Sequence, residues 1–392
     1  MRDLKVTLPA PASEMAQEEI RKQVFFLSPA IQSVTFGDDG VSILCECVKD
    51  VGLDLGAEIL ELASRVQRSL RSLQRRVLFS SGAVVTPSFA AGGGLPGIRY
   101  LGQGQVALFG PALALFRYFD RRFREFGEFW NAQDILTPTL IPSEVLGRCD
   151  YFRSFPHNVT FACHLEGEAQ VIDGFRSRHA AINHLDTKSM GDMATPEACL
   201  SPAVCYHVYH MYEGQTLTDS LRVHAICGKC FRYEAANISD LRRLWDFTMR
   251  EVVFLGARTS VLGQRDVAIE RFSSFLDEHR LAGEIRTASD PFFVAPDAMA
   301  KTYFQLSSET KYEISLLLPG GERLATGSFN YHTDFFGKAF GVSVEGEGPM
   351  HSVCVAFGLE RWVHGFVAQL GPRIEQWPDC VRSAPEFAGL AW

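Results

Sequence analysis

Apolar and polar positions change period several times along the chain, and each change predicts an element. Residues 5–8 alternate as a short strand. Residues 13–26 carry apolar positions at helical spacing, opened by Ser13, a favourable N-cap. Residues 32–36 and 41–48 alternate on either side of Gly37-Asp38-Asp39-Gly40, which predicts a hairpin. Over residues 53–78 the apolar positions are Leu55, Ile59, Leu62, Val66, Leu70 and Leu73, a helical period. Arg65, Arg68, Arg71, Arg75 and Arg76 lie on its outer face. That face could meet an acidic partner, but a solvated helix face is the simpler reading. Residues 1–85 thus read as a small α/β domain with no assigned role.

Residues 87–97 are rich in Gly and Pro, and a linker is placed over residues 86–100. Residues 101–392 then form the main domain. Residues 111–130 predict an amphipathic helix, and residues 134–139 a strand ending near Pro138. A polar insertion covers about residues 166–197, with a helical stretch at 170–185. Beyond Cys205 strands dominate, at 223–227, 251–255, 312–318 and 352–357. Helices are expected at 258–279 and 359–370. Antiparallel strands flanked by helices give an α+β class.

Composition narrows this reading. The length, 392 residues, exceeds one ordinary core. Hydrophobic residues at 46% and charged residues at 21% fit a soluble globular chain. The thirty Phe are expected mostly in the core. The net charge of -8 weighs against a nucleic acid as main partner. No apolar run reaches the length of a membrane span, and none follows the first charges as in a signal peptide. A cytoplasmic location is expected, where ten Cys are core thiols or metal ligands rather than disulfides.

Two motifs carry chemistry. The first is Phe231-Arg232-Tyr233-Glu234, a polar loop, and then Arg243-Leu244-Trp245-Asp246-Phe247-Thr248-Met249-Arg250-Glu251. It reads as two antiparallel strands joined by a loop. Arg232 suits an α-phosphate under attack, and Arg243 suits the distal phosphates. Phe247 offers a stacking face to adenine, and Glu234 an acceptor for its amino group. The second motif, Ala356-Phe357-Gly358-Leu359-Glu360-Arg361, stands at a strand-to-helix junction. Small residues there let backbone approach a nucleotide, and Arg361 projects from the first helical turn. Either motif alone is weak; together and in this order they are specific.

In these motifs the chain resembles the class II aminoacyl-tRNA synthetases. Within that class it is similar to seryl-tRNA synthetase, particularly its metal-dependent methanogen type. It is more similar still to seryl-synthetase-like amino acid:carrier protein ligases. Ser154-Phe155-Pro156, the segment from Leu200 to Tyr206, the segment from Ala288 to Phe293 and Ser328-Phe329-Asn330-Tyr331-His332 share that look. The likeness covers roughly residues 100–370.

The resemblance implies a zinc ion on Cys205, Glu251 and Cys354 that takes the substrate's amino group. Two thiolates and a carboxylate leave one position open, as a substrate-binding site requires. Without the resemblance, Cys205 and Cys354 would read as buried strand cysteines. Cys227-Gly228-Lys229-Cys230 is a single CxxC pair and reads as structural. Cys163-His164 is a lesser candidate ligand pair, and His179, His184 and His332 are isolated. Mg-ATP is expected. Seryl-tRNA synthetases place a metal-binding carboxylate shortly before their Ser-x-Asn segment, and in the corresponding stretch Glu322-Arg323-Leu324-Ala325-Thr326-Gly327 no carboxylate falls at the matching place. Ala356 replaces a common Gly, and Phe336-Gly337-Lys338 replaces an Arg pair.

The acceptor separates the readings. Seryl-tRNA synthetase grips tRNA with a long coiled-coil arm, and residues 1–95 contain one helix of that kind among strands, so tRNA is disfavoured. Carrier protein ligases pass the aminoacyl group to the phosphopantetheine thiol of a small acidic carrier. An inserted helix contributes to docking there, which implicates residues 166–197 with Arg176, Arg178 and Lys188. The favoured reading is therefore ligation of a small amino acid, of Gly, Ala or Ser type, to a carrier protein by a homodimer. The alternatives are a seryl-like synthetase charging tRNA and a non-catalytic relative.

Overall fold

The computed structural model describes residues 2–389, except 50, 53, 72, 74, 84, 86–94, 183, 235–237, 239, 291 and 293–297. Most of the expected linker therefore lies outside the described residues. An eight-stranded sheet organises the chain. Its order is Val77–Ser80, Gly283–Thr287, Lys311–Leu317, Arg323–Tyr331, His351–Gly358, Asp246–Gly256, Leu221–Phe231 and Gln133–Ile135. Neighbours are antiparallel except at the last pair, where Gln133–Ile135 runs parallel to Leu221–Phe231.

Strand alternation gives the sheet two different faces. Val252, Phe254, Val353, Val355, Phe357, Phe329 and Ile314 point to one side. There they pack with helices Gly110–Glu128, Arg258–Glu278 and Leu359–Leu370. The abundant Phe residues meet in this layer: Phe123 stacks on Phe357 at 4.0 Å, and Phe272 on Phe275 at 5.2 Å. Pro111 in the first turn of Gly110–Glu128 costs no hydrogen bond, so the helix starts where the sequence indicates. The opposite face holds Val253, Leu255, Cys354, Ala356, Ile226 and Cys230 against the short helix Cys205–Met211.

The first seventy or so residues form their own three-stranded sheet, ordered Arg2–Thr7, Ser42–Cys47, Ile31–Phe36, under helices Glu14–Val24 and Asp54–Leu70. The Ser13 hydroxyl accepts from the Ala16 amide at 3.3 Å and caps the first helix. The apolar core of this unit takes in Met299 and Leu306 from helix Ala298–Ser307. Its acidic helix face meets cations of the main sheet: Glu18 pairs with Arg286 at 2.8 Å, and Glu14 with Arg323 at 2.8 Å.

Three local expectations are corrected. The second helix ends at Leu70, and Val77–Ser80 is a strand at the edge of the main sheet. Pairing with Gly283–Thr287 overrides the helical period there, while Arg75 is drawn to Glu18 and Arg76 to Glu309. Cys205–Met211 is helical where strands were expected. In the insertion the helix is Ala169–Arg178, followed by a separate turn of helix at Thr187–Met190 that is capped by Asp186.

Candidate active site

Register decides what meets on the second face. Glu251 faces Ala356 and Cys354 faces Val253, so Glu251 and Cys354 are diagonal neighbours on adjacent strands. The first residue of helix Cys205–Met211 completes the group. One donor atom from each of Cys205, Glu251 and Cys354 lies within 4.8 Å of the others, and all three residues are buried. The Cys354 thiol donates to Glu251 Oε2 at 2.9 Å.

Burial pushes Glu251 and Cys354 up from their ordinary values. For Cys205 the hydrogen bond with Cys354 pulls down, but burial and the Glu251 charge win and the thiol is raised. Crowding three acids in one dry place favours the protonated form of each until a cation joins them. A divalent ion would release those protons and satisfy the group, and two sulfurs with one carboxylate fit zinc.

Beside this group lies a cleft floored by Gly327, Ser328, Ala356 and Gly358, with Arg232, Phe247 and Arg361 on its walls. A Cβ on Gly327 would stand 2.6 Å from the Ala356 carbonyl, so the floor depends on glycine there. Arg232 follows the end of strand Leu221–Phe231. Its Nε donates to the Pro202 carbonyl at 3.0 Å, and its guanidinium lies 5.4 Å from the Phe247 ring centre. Arg361 donates to the carbonyls of Arg242 at 2.6 Å and Ala325 at 3.0 Å. Arg243 pairs with Glu234 at 2.5 Å.

The charge in the cleft is unbalanced. Burial alone would raise Glu234, but Arg243, Arg361 and Arg232 all act on it and hold it below its ordinary value. Burial and the nearby Arg243 push Arg361 down to about 10. Arg232, Arg242, Lys311 and Arg361 against Glu234, Glu313 and Glu360 leave the lining net positive, which suits a polyphosphate.

Sequence reasoning missed two supports. Glu360 accepts from the amide and hydroxyl of Thr248, both at 2.9 Å, and so ties helix Leu359–Leu370 to the strand Asp246–Gly256. Asp290 forms an ion pair with Lys311 at the end of the cleft. Burial would raise Asp290, but Lys311 and the Gln305 amide bring it down to about 2. Lys22 of the N-terminal unit donates to the neighbouring Ser289 carbonyl at 3.0 Å. Glu360 and Asp290 lie in segments the sequence singled out, but their roles were not legible there, because each acts through a partner distant in sequence.

Other candidates fall elsewhere. Cys227 and Cys230 point to opposite faces of one strand, so they cannot share an ion. Cys163 is exposed, and His164 is bonded to the adjacent Leu165 carbonyl. His179 contacts Ser189 and the Phe175 carbonyl inside the insertion. His332 contacts Ser352 at 3.1 Å and Tyr209 at 3.3 Å, and burial lowers it to about 4. In the insertion, Arg176 and Lys188 are exposed, whereas Arg178 is engaged by Asp192.

No protein-family model matches the chain. It is 32% identical over 268 residues to amino acid–acyl-carrier-protein ligase 2 of Bradyrhizobium diazoefficiens, covering 67% of this chain and 76% of that one. The chain belongs to this ligase family. A second ligase of that organism is 31% identical over 62% of this chain and 74% of its own length. The type-2 serine–tRNA ligase of Methanopyrus kandleri is 25% identical over 74% of this chain, which spans 59% of that relative's length.

Among solved structures, M. kandleri seryl-tRNA synthetase in complex with a tRNA(Sec) superposes with a TM-score of 0.70 at 20% identity. The match covers 99% of this chain and 78% of that one. Pyrococcus horikoshii seryl-tRNA synthetase complexed with ATP gives 0.53 at 14% identity, covering 81% and 75%. This chain shares the class II synthetase fold of these neighbours, as the two motifs indicated.

Proposed function

We propose that this chain activates a small amino acid with ATP and transfers it to the phosphopantetheine thiol of a carrier protein. One observation carries the reading: a buried Cys205-Glu251-Cys354 donor set and a three-arginine cleft lie on the same face of one sheet. The first suits an amino group and the second a polyphosphate, and the Arg232 charge acts on Glu251 of the donor set.

Each residue then has a task. Cys205, Glu251 and Cys354 would hold zinc, which when bound supplies a Lewis-acid seat for the free amino group. The substrate carboxylate attacks the α-phosphorus, and pyrophosphate leaves. Arg232 and Arg361 spread the charge that grows on the α-phosphate oxygens, and Arg243 holds the departing phosphates. Phe247 stacks on adenine. Glu234, once Arg243 turns to phosphate, accepts from the adenine amino group. The thiol sulfur of the carrier then attacks the acyl carbon of the adenylate and AMP leaves.

Family membership favours the carrier as acceptor. So does the insertion: helix Ala169–Arg178 has no buried residue, and Ile172, Leu185 and Met190 are exposed beside Arg176 and Lys188. Such a surface suits a small acidic protein. A second reading, a seryl-type synthetase, is favoured by the superposition on M. kandleri seryl-tRNA synthetase that includes the N-terminal unit.

A homodimer through helix Gly110–Glu128 and the edge strand Gln133–Ile135 belongs to the proposal, since Leu136 is 93% exposed beside that edge. No described helix is long and apolar enough to cross a membrane, and cytoplasmic action is part of the same proposal. Exchange of labelled pyrophosphate into ATP tests the first half-reaction. Exchange that depends on glycine, alanine or serine is expected, and none with any amino acid would refute the proposal.

A further inference from the structure

The N-terminal unit supplies none of the residues that line the arginine cleft, yet it holds the segment at one end of it. Beyond strand Gly283–Thr287 the chain runs against helix Glu14–Val24. Lys22 Nζ donates to the Ser289 carbonyl at 3.0 Å and to its hydroxyl at 3.2 Å. The same hydroxyl donates to Glu19 Oε2 at 3.1 Å, and Gln23 Nε2 donates to Glu19 Oε1 at 2.6 Å. Glu19, Gln23 and Ser289 are all buried. A buried carboxylate needs such partners, so the network fixes one position for Ser289.

Ser289 precedes Asp290, whose carboxylate pairs with Lys311 of the cleft lining. Gln305 brackets Asp290: its Oε1 accepts from the Asp290 amide and its Nε2 donates to the Asp290 carboxylate, each at 2.7 Å. The Asp290 charge acts on Arg232 and on His332. His332 contacts Ser352, which lies on the same strand as Cys354. Phe292 stacks against Phe155 at 5.3 Å, and Phe155 packs on the cluster that contains Cys205 and Cys354. The segment therefore borders the donor set as well as the arginines.

We propose that the N-terminal unit is a fixed part of the active site, in which Lys22 and Glu19 are positioning residues that seat Ser289 and, through it, place Asp290 for the amino acid substrate. This rests on the reading of the site as one that forms an aminoacyl-adenylate. A shift of Asp290 by about 1 Å changes the field at Arg232 and Lys311, where the substrate carboxylate must approach the α-phosphorus. Residues 1–85 thereby gain a task in activation, before any acceptor arrives.

The test uses the full zinc-loaded chain and an amino acid that supports pyrophosphate exchange. Lys22→Met should raise KM for that amino acid about 10-fold, with kcat and KM for ATP within about twofold of wild type. Lys22→Arg should recover part of the loss, since it keeps a cationic donor beside the Ser289 carbonyl. Glu14→Ala loosens the same unit at Arg323 without touching Ser289, and should leave all three constants within about twofold. Zinc content should be unchanged in every variant. Hydrogen exchange read by mass spectrometry, without substrates, reports on the segment itself. The Ala288 and Asp290 amides, which donate to the Lys311 carbonyl and to Gln305, should exchange about 10-fold faster in Lys22→Met and at the wild-type rate in Glu14→Ala. Unchanged amide exchange in Lys22→Met, or faster exchange with an unchanged KM for the amino acid, would overturn the proposal. Absence of pyrophosphate exchange in the wild-type chain would instead refute amino acid activation itself, and the proposal would fall with it.

Discussion

The Cys354 thiol donates to the Glu251 carboxylate at 2.9 Å between the two central strands of the sheet. A thiol and a carboxyl held this close in a dry interior share protons that a bound cation would displace. Cys354→Ala should therefore yield protein lacking the one zinc per chain expected of wild type, measured by elemental mass spectrometry. Loss of a supporting partner alone commonly costs about 10- to 100-fold in metal affinity, so loss of a ligand should cost at least about 100-fold. Amino-acid-dependent exchange should vanish with the zinc, while analogue binding in the arginine cleft persists.

His279 sets part of the pH response. Burial lowers it to about 4, and both ring nitrogens are used: Nε2 meets the Tyr118 hydroxyl at 2.7 Å, and Nδ1 meets the Phe275 carbonyl at 2.8 Å. Its folded value lies below the ordinary value of about 6.5, so the unfolded chain binds the proton first. The stability it contributes is present above pH 6.5 and is lost as pH falls towards 4. The loss reaches about 2 kcal/mol by pH 5. Urea unfolding at pH 7 and pH 5 should show this drop, and His279→Gln should show a smaller one.

The exposed cations of the insertion should act on transfer and not on activation. Arg176→Glu combined with Lys188→Glu should lower the rate of carrier aminoacylation about 10-fold at low salt, with the defect shrinking as salt rises. Pyrophosphate exchange should be unchanged. Arg178→Glu should instead destabilise the insertion, because Arg178 is held by Asp192.

Leu136 tests the dimer. An aspartate at a site 93% exposed in the single chain costs the monomer little. Within an interface it would bury an unpaired charge. Leu136→Asp should convert a dimer to a monomer in light scattering after gel filtration, with the thermal midpoint of the monomer retained.

Much of this was legible in the sequence because strand alternation is local. The apolar residues of Asp246–Gly256 and His351–Gly358 announce their buried faces, and the helix expected at 359–370 runs over Leu359–Leu370 as its pattern indicates. The arginines of both motifs were legible for the same reason. Register between distant strands was not. Nothing near Glu313 says that it will stand opposite Ser328, and nothing near Lys22 says that it will reach Ser289. Cys205 was assigned through resemblance alone, and its helix was read as strand. Residues 77–78 fell inside the expected helix over 53–78, and their partner Gly283–Thr287 makes Val77–Ser80 a strand.

The acceptor is the central claim, and one measurement addresses it directly. The chain is incubated with ATP, Mg2+ and labelled alanine, glycine or serine. Each mixture also contains total tRNA, an apo carrier protein and the same carrier bearing phosphopantetheine. Intact-protein mass spectrometry should find the added aminoacyl mass on the phosphopantetheine form alone, removable by hydroxylamine as a thioester, with no label on tRNA. Label on tRNA with none on the phosphopantetheine carrier would contradict the account.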